Sequence, residues 1–271
     1  MSYCKLENND FLIWITTCHL FVRKLDIFLK GNSVQEWEKY WIDHERSLYG
    51  KASRIYRKYV LSFHVKRILG LYFQQNGFYV DCGSGSSESS MRLKDINKSY
   101  IALDKSHLAL RNAVNKFDNL IGIAGDIFHL PYKSESIAGI YNLGVMEHFN
   151  QSEIVDVLNE FHRVLKKDSF VILFWPYQNG FIQLVLDSVT YFLTKICRIK
   201  FWYTPEEITR LDSKEHALSI IKDTGFEMEK IYFSFHDLFT HYIVVARKWI
   251  NILRLLFKKT SFFPINYSLA E

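Results

Sequence analysis

Three aspartates stand where a parallel sheet would end its strands, and their neighbours say what they could bind. The first opens Asp81-Cys82-Gly83-Ser84-Gly85-Ser86-Ser87-Glu88. Two glycines one residue apart permit a tight turn and close approach of a ligand to the main chain. The carboxylates of Asp81 and Glu88 flank that turn, where they would repel a pyrophosphate and suit a ligand carrying positive charge. A nicotinamide-dinucleotide fingerprint wants Gly or Ala where Glu88 stands, and a helix N-terminus free to receive phosphate. The second aspartate, Asp104, follows Gly85 by 19 residues. A carboxylate at the end of a second strand can accept two hydrogen bonds from a ribose diol. The third, Asp126, lies in Gly125-Asp126-Ile127. It can accept from an exocyclic amino group while Ile127 packs on an aromatic base. A cation, a ribose and a purine together describe S-adenosylmethionine, which has no phosphate.

These loops need strands to carry them. Apolar runs at 78–80, 100–103, 120–124, 137–143 and 169–175 read as five strands, the last buried on both faces. Helical spacing appears at 107–116 and from Ser152 to about Lys166, where Ile154, Val155, Leu158, Phe161 and Leu165 share a face. Ser86 or Ser87 is placed to cap a helix after the first loop. A helix over 205–223 and strands over 226–235 and 240–246 complete the pattern. Strands alternating with helices predict an α/β fold: a Rossmann-like, doubly wound, mostly parallel seven-stranded sheet with helices on both faces. Ligands of such sheets sit beyond the carboxyl ends of the strands, where the strand order switches.

Residues 33–75 read as helical, with Trp37, Tyr40, Trp41 and His44 on one face. Lys51 to Arg67 holds six basic residues and no acidic one. The chain therefore divides into an N-terminal helical extension or lid (1–75), a ligand-binding domain (76–247, with an apolar helical insertion at 176–204) and a basic amphipathic tail (248–271). In the tail Trp249, Ile250, Leu253, Leu256 and Phe257 form an apolar face, and Arg247, Lys248, Arg254, Lys258 and Lys259 a basic one. Such a helix suits either an anionic membrane surface or the protein's own core.

The 271 residues, 48% apolar and 23% charged, suffice for a large core. The net charge of +5 is uneven: +5 over 1–75, −2 over 76–175 and +2 over 176–271. A nucleic-acid partner would call for a stronger basic excess or a known module. Cys4, Cys18, Cys82 and Cys197 lie far apart with no CxxC pair, so a zinc ribbon or redox dithiol is unsupported and no metal is expected. Cys82 reads as a packed residue. The apolar stretches 11–21 and 181–203 are too short or too interrupted by charge to span a bilayer. A reducing cytoplasm is the default location, with peripheral membrane contact left open.

The motifs, taken in order, resemble class I S-adenosylmethionine-dependent methyltransferases of the type 11 group, which includes quinone-biosynthesis enzymes. They are Val80 to Gly85, Ile101 to Asp104, Gly125 to Tyr132, Ser136 to Ile140, Val145-Met146-Glu147-His148-Phe149 and Phe161 to Lys166. The resemblance is dense over 78–175 and beyond that follows only the element order. It implies S-adenosyl-L-methionine as cofactor, with Asp81, Gly83 and Gly85 around its methionine part and Asp104 on the ribose. It also implies Asp126 on the adenine amino group, Ile127 against the ring, and Asn142 and Leu143 near the sulfonium. Ser87 stands where the family has a third glycine, and Lys167-Asp168-Ser169 where it has Pro-Gly-Gly.

Methyl transfer needs alignment above all, and a hydroxyl or carbon acid also needs a base. His148 and Glu147 follow the fourth strand and face the site. His148 is the better candidate because an unperturbed imidazole titrates near neutrality, although it could equally shape the cleft. His236 and His241 flank Asp237 in a late turn and could reach the substrate side. The fourth strand lacks the Asn/Asp-Pro-Pro-aromatic motif of many amino-group methyltransferases. The expectation is therefore O- or C-methylation of a small molecule or of a lipid- or glycan-linked acceptor. A non-catalytic binding module and a nicotinamide-dependent oxidoreductase are the rival readings. The sequence leaves the oligomeric state open.

Overall fold

The computed structural model of the chain describes residues 34–93, 99–117, 120–196, 198 and 207–249. The apolar stretch 11–21 and nearly all of the expected tail lie outside the described residues. The N-terminal helical region is α1 (Val34–Arg46), α2 (Leu48–Tyr56), a π-helical turn (Arg57–Leu61) and α3 (Ser62–Tyr72). Ser47 separates the first two, its hydroxyl accepting from Gly50 N in the first turn of α2. α1 buries Trp41 and His44, as its aromatic spacing requires.

The remaining elements are β1 (Phe78–Cys82), β2 (Ser99–Asp104), α4 (His107–Lys116), β3 (Ile121–Ala124), β4 (Ile137–Leu143), α5 (Gln151–Val164), β5 (Leu165–Pro176), α6 (Phe181–Tyr191), α7 (Lys214–Lys222), β6 (Phe226–Tyr232) and β7 (His241–Lys248). They build one seven-stranded sheet of order β3-β2-β1-β4-β5-β7-β6. The first five strands pair in parallel, while β7 runs antiparallel to both β5 and β6. The order reverses between β1 and β4, which opens the crevice at their carboxyl ends.

Both sheet faces are covered. Ile154, Val157, Leu158, Phe161 and Val164 of α5 are fully buried against one face with Trp175, Val171 and Leu173. Val65, Ile68 and Leu69 of α3 close the other with Phe73, Tyr79 and Phe174. Each such side chain stabilises the fold by roughly 1.5–3 kcal/mol.

The structure departs from the sequence reading at several ends. No α-helix is capped by Ser86 or Ser87: Ser87 adopts φ +58°, and Glu88–Ser90 form a single 3-10 turn. α5 starts one residue earlier, because Asn150 and Glu153 form a reciprocal capping box. The helix expected over 205–223 is only α7. Residues 209 and 211 are held in irregular form, Trp175 Nε1 donating to Thr209 O and Leu211 bridging to Tyr177. β6 ends at Tyr232, followed by a 3-10 turn at Phe235–Asp237. Arg247 and Lys248 belong to β7 rather than to a tail helix; the Lys248 ammonium is buried and donates to Leu165 O.

Candidate functional site

A cavity of about 340 Å³ lies across the carboxyl ends of β1, β2 and β4, roofed by α1, α2 and α6. It falls in the ~300–1,000 Å³ range of small-molecule sites. Asp81, Gly83, Gly85, Asp104, Ile127, Leu143, Glu147 and His148 line it. Asp126 and Asn142 are set back from the wall. Asp126 accepts from Phe128 N at 3.0 Å and turns the loop that presents Gly125 and Ile127. Asn142 is buried and donates to Cys82 O, tying β4 to β1 beneath the cavity floor. Cys82 packs in the core, where burial pushes its thiol pKa up.

The first loop is shaped by contact. Gly83 (φ +77°) and Gly85 (φ +51°) take left-handed conformations. A Cβ on Gly85 would come within 2.4 Å of Trp41, and one on Gly83 within 2.4 Å of Val145. Trp41 of α1 therefore rests directly on the glycine turn. Asp81 Oδ2 accepts from Ser90 Oγ at 2.6 Å and from Tyr141 Oη at 2.8 Å. No described group bonds to Oδ1. Burial pushes the Asp81 pKa up to about 6 against those two bonds, so a cation in the cavity is its natural partner. Glu88 does not join it. Glu88 lies outside the cavity lining, bonded to Ser86 and to Lys116 Nζ at 3.1 Å. Burial opposes its charge, but those partners hold it below the usual carboxylate range.

Asp104 accepts from Gly85 N and Ser106 N, each at 2.8 Å, so it braces the first loop from the end of β2. Burial raises its pKa, with the two amides opposing. Ser106, not Asp104, caps α4.

The other end of the cavity lies over β4, β5 and β7. The His148 ring meets Trp37 edge-on at 5.1 Å, and its Nε2 is 4.0 Å from Glu147 Oε1. Glu147 Oε2 is buried with no hydrogen-bond partner. Burial first, then the nearby Glu207 carboxylate, push the Glu147 pKa up to about 8. Folded Glu147 thus keeps its proton between pH 4.5 and 8, where the unfolded chain has lost it. Stability should be full below pH 4.5, decline as pH rises, and level off above about 8. Urea titrations across that range should show the decline in the wild type and a flatter profile in Glu147→Gln.

The late turn supplies a residue that the sequence reading left among several. His241, first in β7, lines the cavity, and its Nδ1 lies 2.9 Å from Asp237 Oδ2. Asp237 is fully buried and also accepts from His241 N at 3.0 Å. Tyr56 Oη of α2 donates to Asp237 O at 2.7 Å, fastening the roof to this turn. His236 stands elsewhere, bonded to Arg67 at 2.6 Å and stacked on His64. Spacing alone could not separate the two histidines; the strand start at His241 does.

Residues 80–173 match the family model of a methyltransferase domain. No curated protein sequence matches the chain. Among solved structures, a SAM-dependent methyltransferase from Archaeoglobus fulgidus superposes with a TM-score of 0.57 at 15% identity, covering 74% of this chain and 100% of its own. One from Methanosarcina mazei gives 0.52 at 18% identity, covering 68% and 98%. The cyclase SpnF gives 0.52 at 12% identity, covering 70% and 82%, so the shared fold does not by itself fix the reaction. The motif order over β1 to β5 agrees with the family match over the same strands. Residues 80–173 thus carry a methyltransferase domain, on a sheet that shares its fold with S-adenosylmethionine-dependent methyltransferases.

Proposed function

We propose that the protein methylates an oxygen or carbon atom of an acceptor bound over β5 and β7, with His241 taking the acceptor's proton. The observation that carries this is the Asp237–His241 pair, set into the wall of the same cavity that Asp81, Gly83 and Gly85 enter.

The cavity fits the cofactor: Asp81 Oδ1 accepts from no described group and can take an ammonium, and Gly83 and Gly85 line the same cavity. When bound, S-adenosylmethionine supplies an electrophilic methyl group on a good leaving group. The chain's own residues do the rest. Asp104, Gly125 and Ile127 would hold the nucleoside, and Leu143 closes the floor between the two ends. Trp37, Tyr40 and Trp41 of the lid exclude water from the site. Asp237 accepts from His241 Nδ1–H, which leaves Nε2 as the atom able to accept a proton. His148, packed under Trp37, shapes the cleft, and Glu147, protonated near neutrality, offers a donor rather than a base.

The acceptor carries an apolar portion. Ile182 and Leu186 of α6 line the cavity, while Phe181, Leu184, Val185 and Val189 of the same helix are exposed. One helix thus joins the cavity mouth to an apolar outer surface, which favours a lipid-linked acceptor approached at a membrane surface. Among the described residues no helix is long and apolar enough to cross a membrane.

Incubating the protein with methyl-labelled S-adenosylmethionine and a cell extract, then separating lipid from aqueous products, tests the proposal. Enzyme-dependent label in the lipid fraction is expected. Label confined to water-soluble products would remove the lipid-linked reading, and no label in either would remove the catalytic one.

A further inference from the structure

An apolar rim surrounds the acceptor end of the cavity, and a strained turn lies at its centre. Leu238 (φ +57°) and Phe239 (φ +53°) are consecutive residues in the left-handed region. That conformation is unfavourable for bulky side chains and suits Gly or Asn. It is nevertheless fixed: Leu238 N donates to Phe235 O at 2.9 Å, and Phe239 N to Ser234 O at 3.1 Å. Phe235, Leu238 and Phe239 are left 66%, 41% and 44% exposed. A polar turn would relieve both the strain and the exposure, so these residue types answer to something outside the fold.

The neighbouring elements extend the patch. Tyr56, bonded to Asp237 O, and Arg67, 2.6 Å from His236 Nε2, hold α2 and α3 against one side of the turn. On that side Ile55, Tyr59 and Phe63, four residues apart, are each more than half exposed. On the other side Phe239 O lies 3.0 Å from where a Gly180 Cβ would stand, so the turn abuts the start of α6 and its exposed Phe181 and Leu184. Thr240 and His241, which follow the turn, line the cavity. A continuous apolar surface of this kind marks a docking face.

Its charge says what docks there. Residues 51–67 hold six basic side chains and no acidic one, with Lys51 and Arg67 exposed at the two ends. Cations sit over the exposed rings: Lys58 Nζ is 5.1 Å from the centre of Tyr59, and the Arg92 guanidinium 3.5 Å from that of Phe63. The acids of this face are already answered. Asp237 is fully buried, and Asp187 of α6 is bonded to Gln183 and Arg210. A second copy of the chain would bring like charge against like. Aromatic and aliphatic groups ringed by cations match the headgroup boundary of an anionic bilayer.

We propose that the turn at 235–239 inserts into the surface of an anionic membrane, with Ile55, Tyr59, Phe63 and the start of α6 resting beside it. The basic residues of α2 and α3 then lie on the headgroups. The inference rests on the lipid-linked reading of the acceptor and deepens it: this pose sets the cavity mouth against the lipid, so the acceptor's apolar portion need not cross water.

Co-sedimentation of the full chain with two kinds of vesicle tests it: phosphatidylcholine alone, and equal parts phosphatidylcholine and phosphatidylglycerol. Wild type is expected to bind the anionic vesicles, more weakly as salt rises, and the neutral ones poorly. Leu238→Asn with Phe239→Asn keeps residues that tolerate the left-handed turn and removes its apolar groups. That variant should bind anionic vesicles about tenfold more weakly or worse. Lys51→Glu with Lys58→Glu should lose the preference for anionic lipid. Both should melt as wild type does and bind S-adenosylhomocysteine within twofold of it, which shows that the fold and the cavity are intact. No binding of wild type to either vesicle would overturn the proposal. So would an Asn variant that binds as wild type does, since the attachment would then lie elsewhere in the chain. A wild-type dimer without lipid that the Asn variant abolishes would instead make the face a contact between copies, and would also overturn it. The acceptor reading is judged separately: vesicle binding that depends on the turn, with methyl label only in water-soluble products, would keep the docking face and remove the lipid-linked acceptor.

Discussion

Replacing Asp81 with alanine is expected to cut the affinity for S-adenosylhomocysteine by about 10- to 150-fold, the worth of a hydrogen bond to a charged group. The reason is local. Asp81 is buried at the end of β1, with one oxygen anchored by Ser90 and Tyr141 and the other without a partner among the described residues. Its pKa of about 6 gives the effect a pH signature. The cofactor's ammonium binds the ionised carboxylate, so affinity should be level above pH 6 and fall about tenfold per unit below it. Asp81→Asn keeps the shape of the side chain but cannot ionise. Its affinity should be low and should not change between pH 5 and 7. Calorimetry at four pH values reads both results, and an affinity equal to wild type in Asp81→Ala would remove this residue from the pocket.

The second large effect belongs to the other end of the cavity. His241→Ala should lower methyl transfer by about 100- to 10,000-fold, the usual contribution of a positioned general base. S-adenosylhomocysteine affinity should stay within twofold, because His241 lies over β5 and β7 and away from the glycine turn. Asp237→Asn should reduce transfer in the same direction, since it no longer fixes which ring nitrogen carries the proton. Free imidazole added to His241→Ala should restore part of the rate by occupying the vacated space. A purely structural histidine would give no such rescue, and a variant that retained the full rate would return the role to His148.

The pattern of strands was legible because most hold a short apolar run followed by a polar or glycine-rich turn. The reversal between β1 and β4 then followed from general topology, and with it the position of the cavity. The chemistry was legible only where a side chain sits at a strand end. Asp81, Asp104 and Ile127 fall on the cavity wall for that reason. Asp126 and Asn142 have the same strand-end position, but each is drawn aside by a bond within the fold, to Phe128 N and Cys82 O. Glu88 was misread because the Lys116 that claims it lies 28 residues away, on α4. The histidine proposed as base was hidden for a different reason. Asp237 and His241 are four residues apart, as are many solvated pairs, and only the fully buried carboxylate marks this one as built.

The central claim is that this sheet binds a cationic nucleoside rather than a dinucleotide. Titration of the wild-type protein with S-adenosylhomocysteine and, separately, with NAD tests it most directly. One-to-one binding of S-adenosylhomocysteine with no heat from NAD is expected. Binding of NAD without S-adenosylhomocysteine would contradict it.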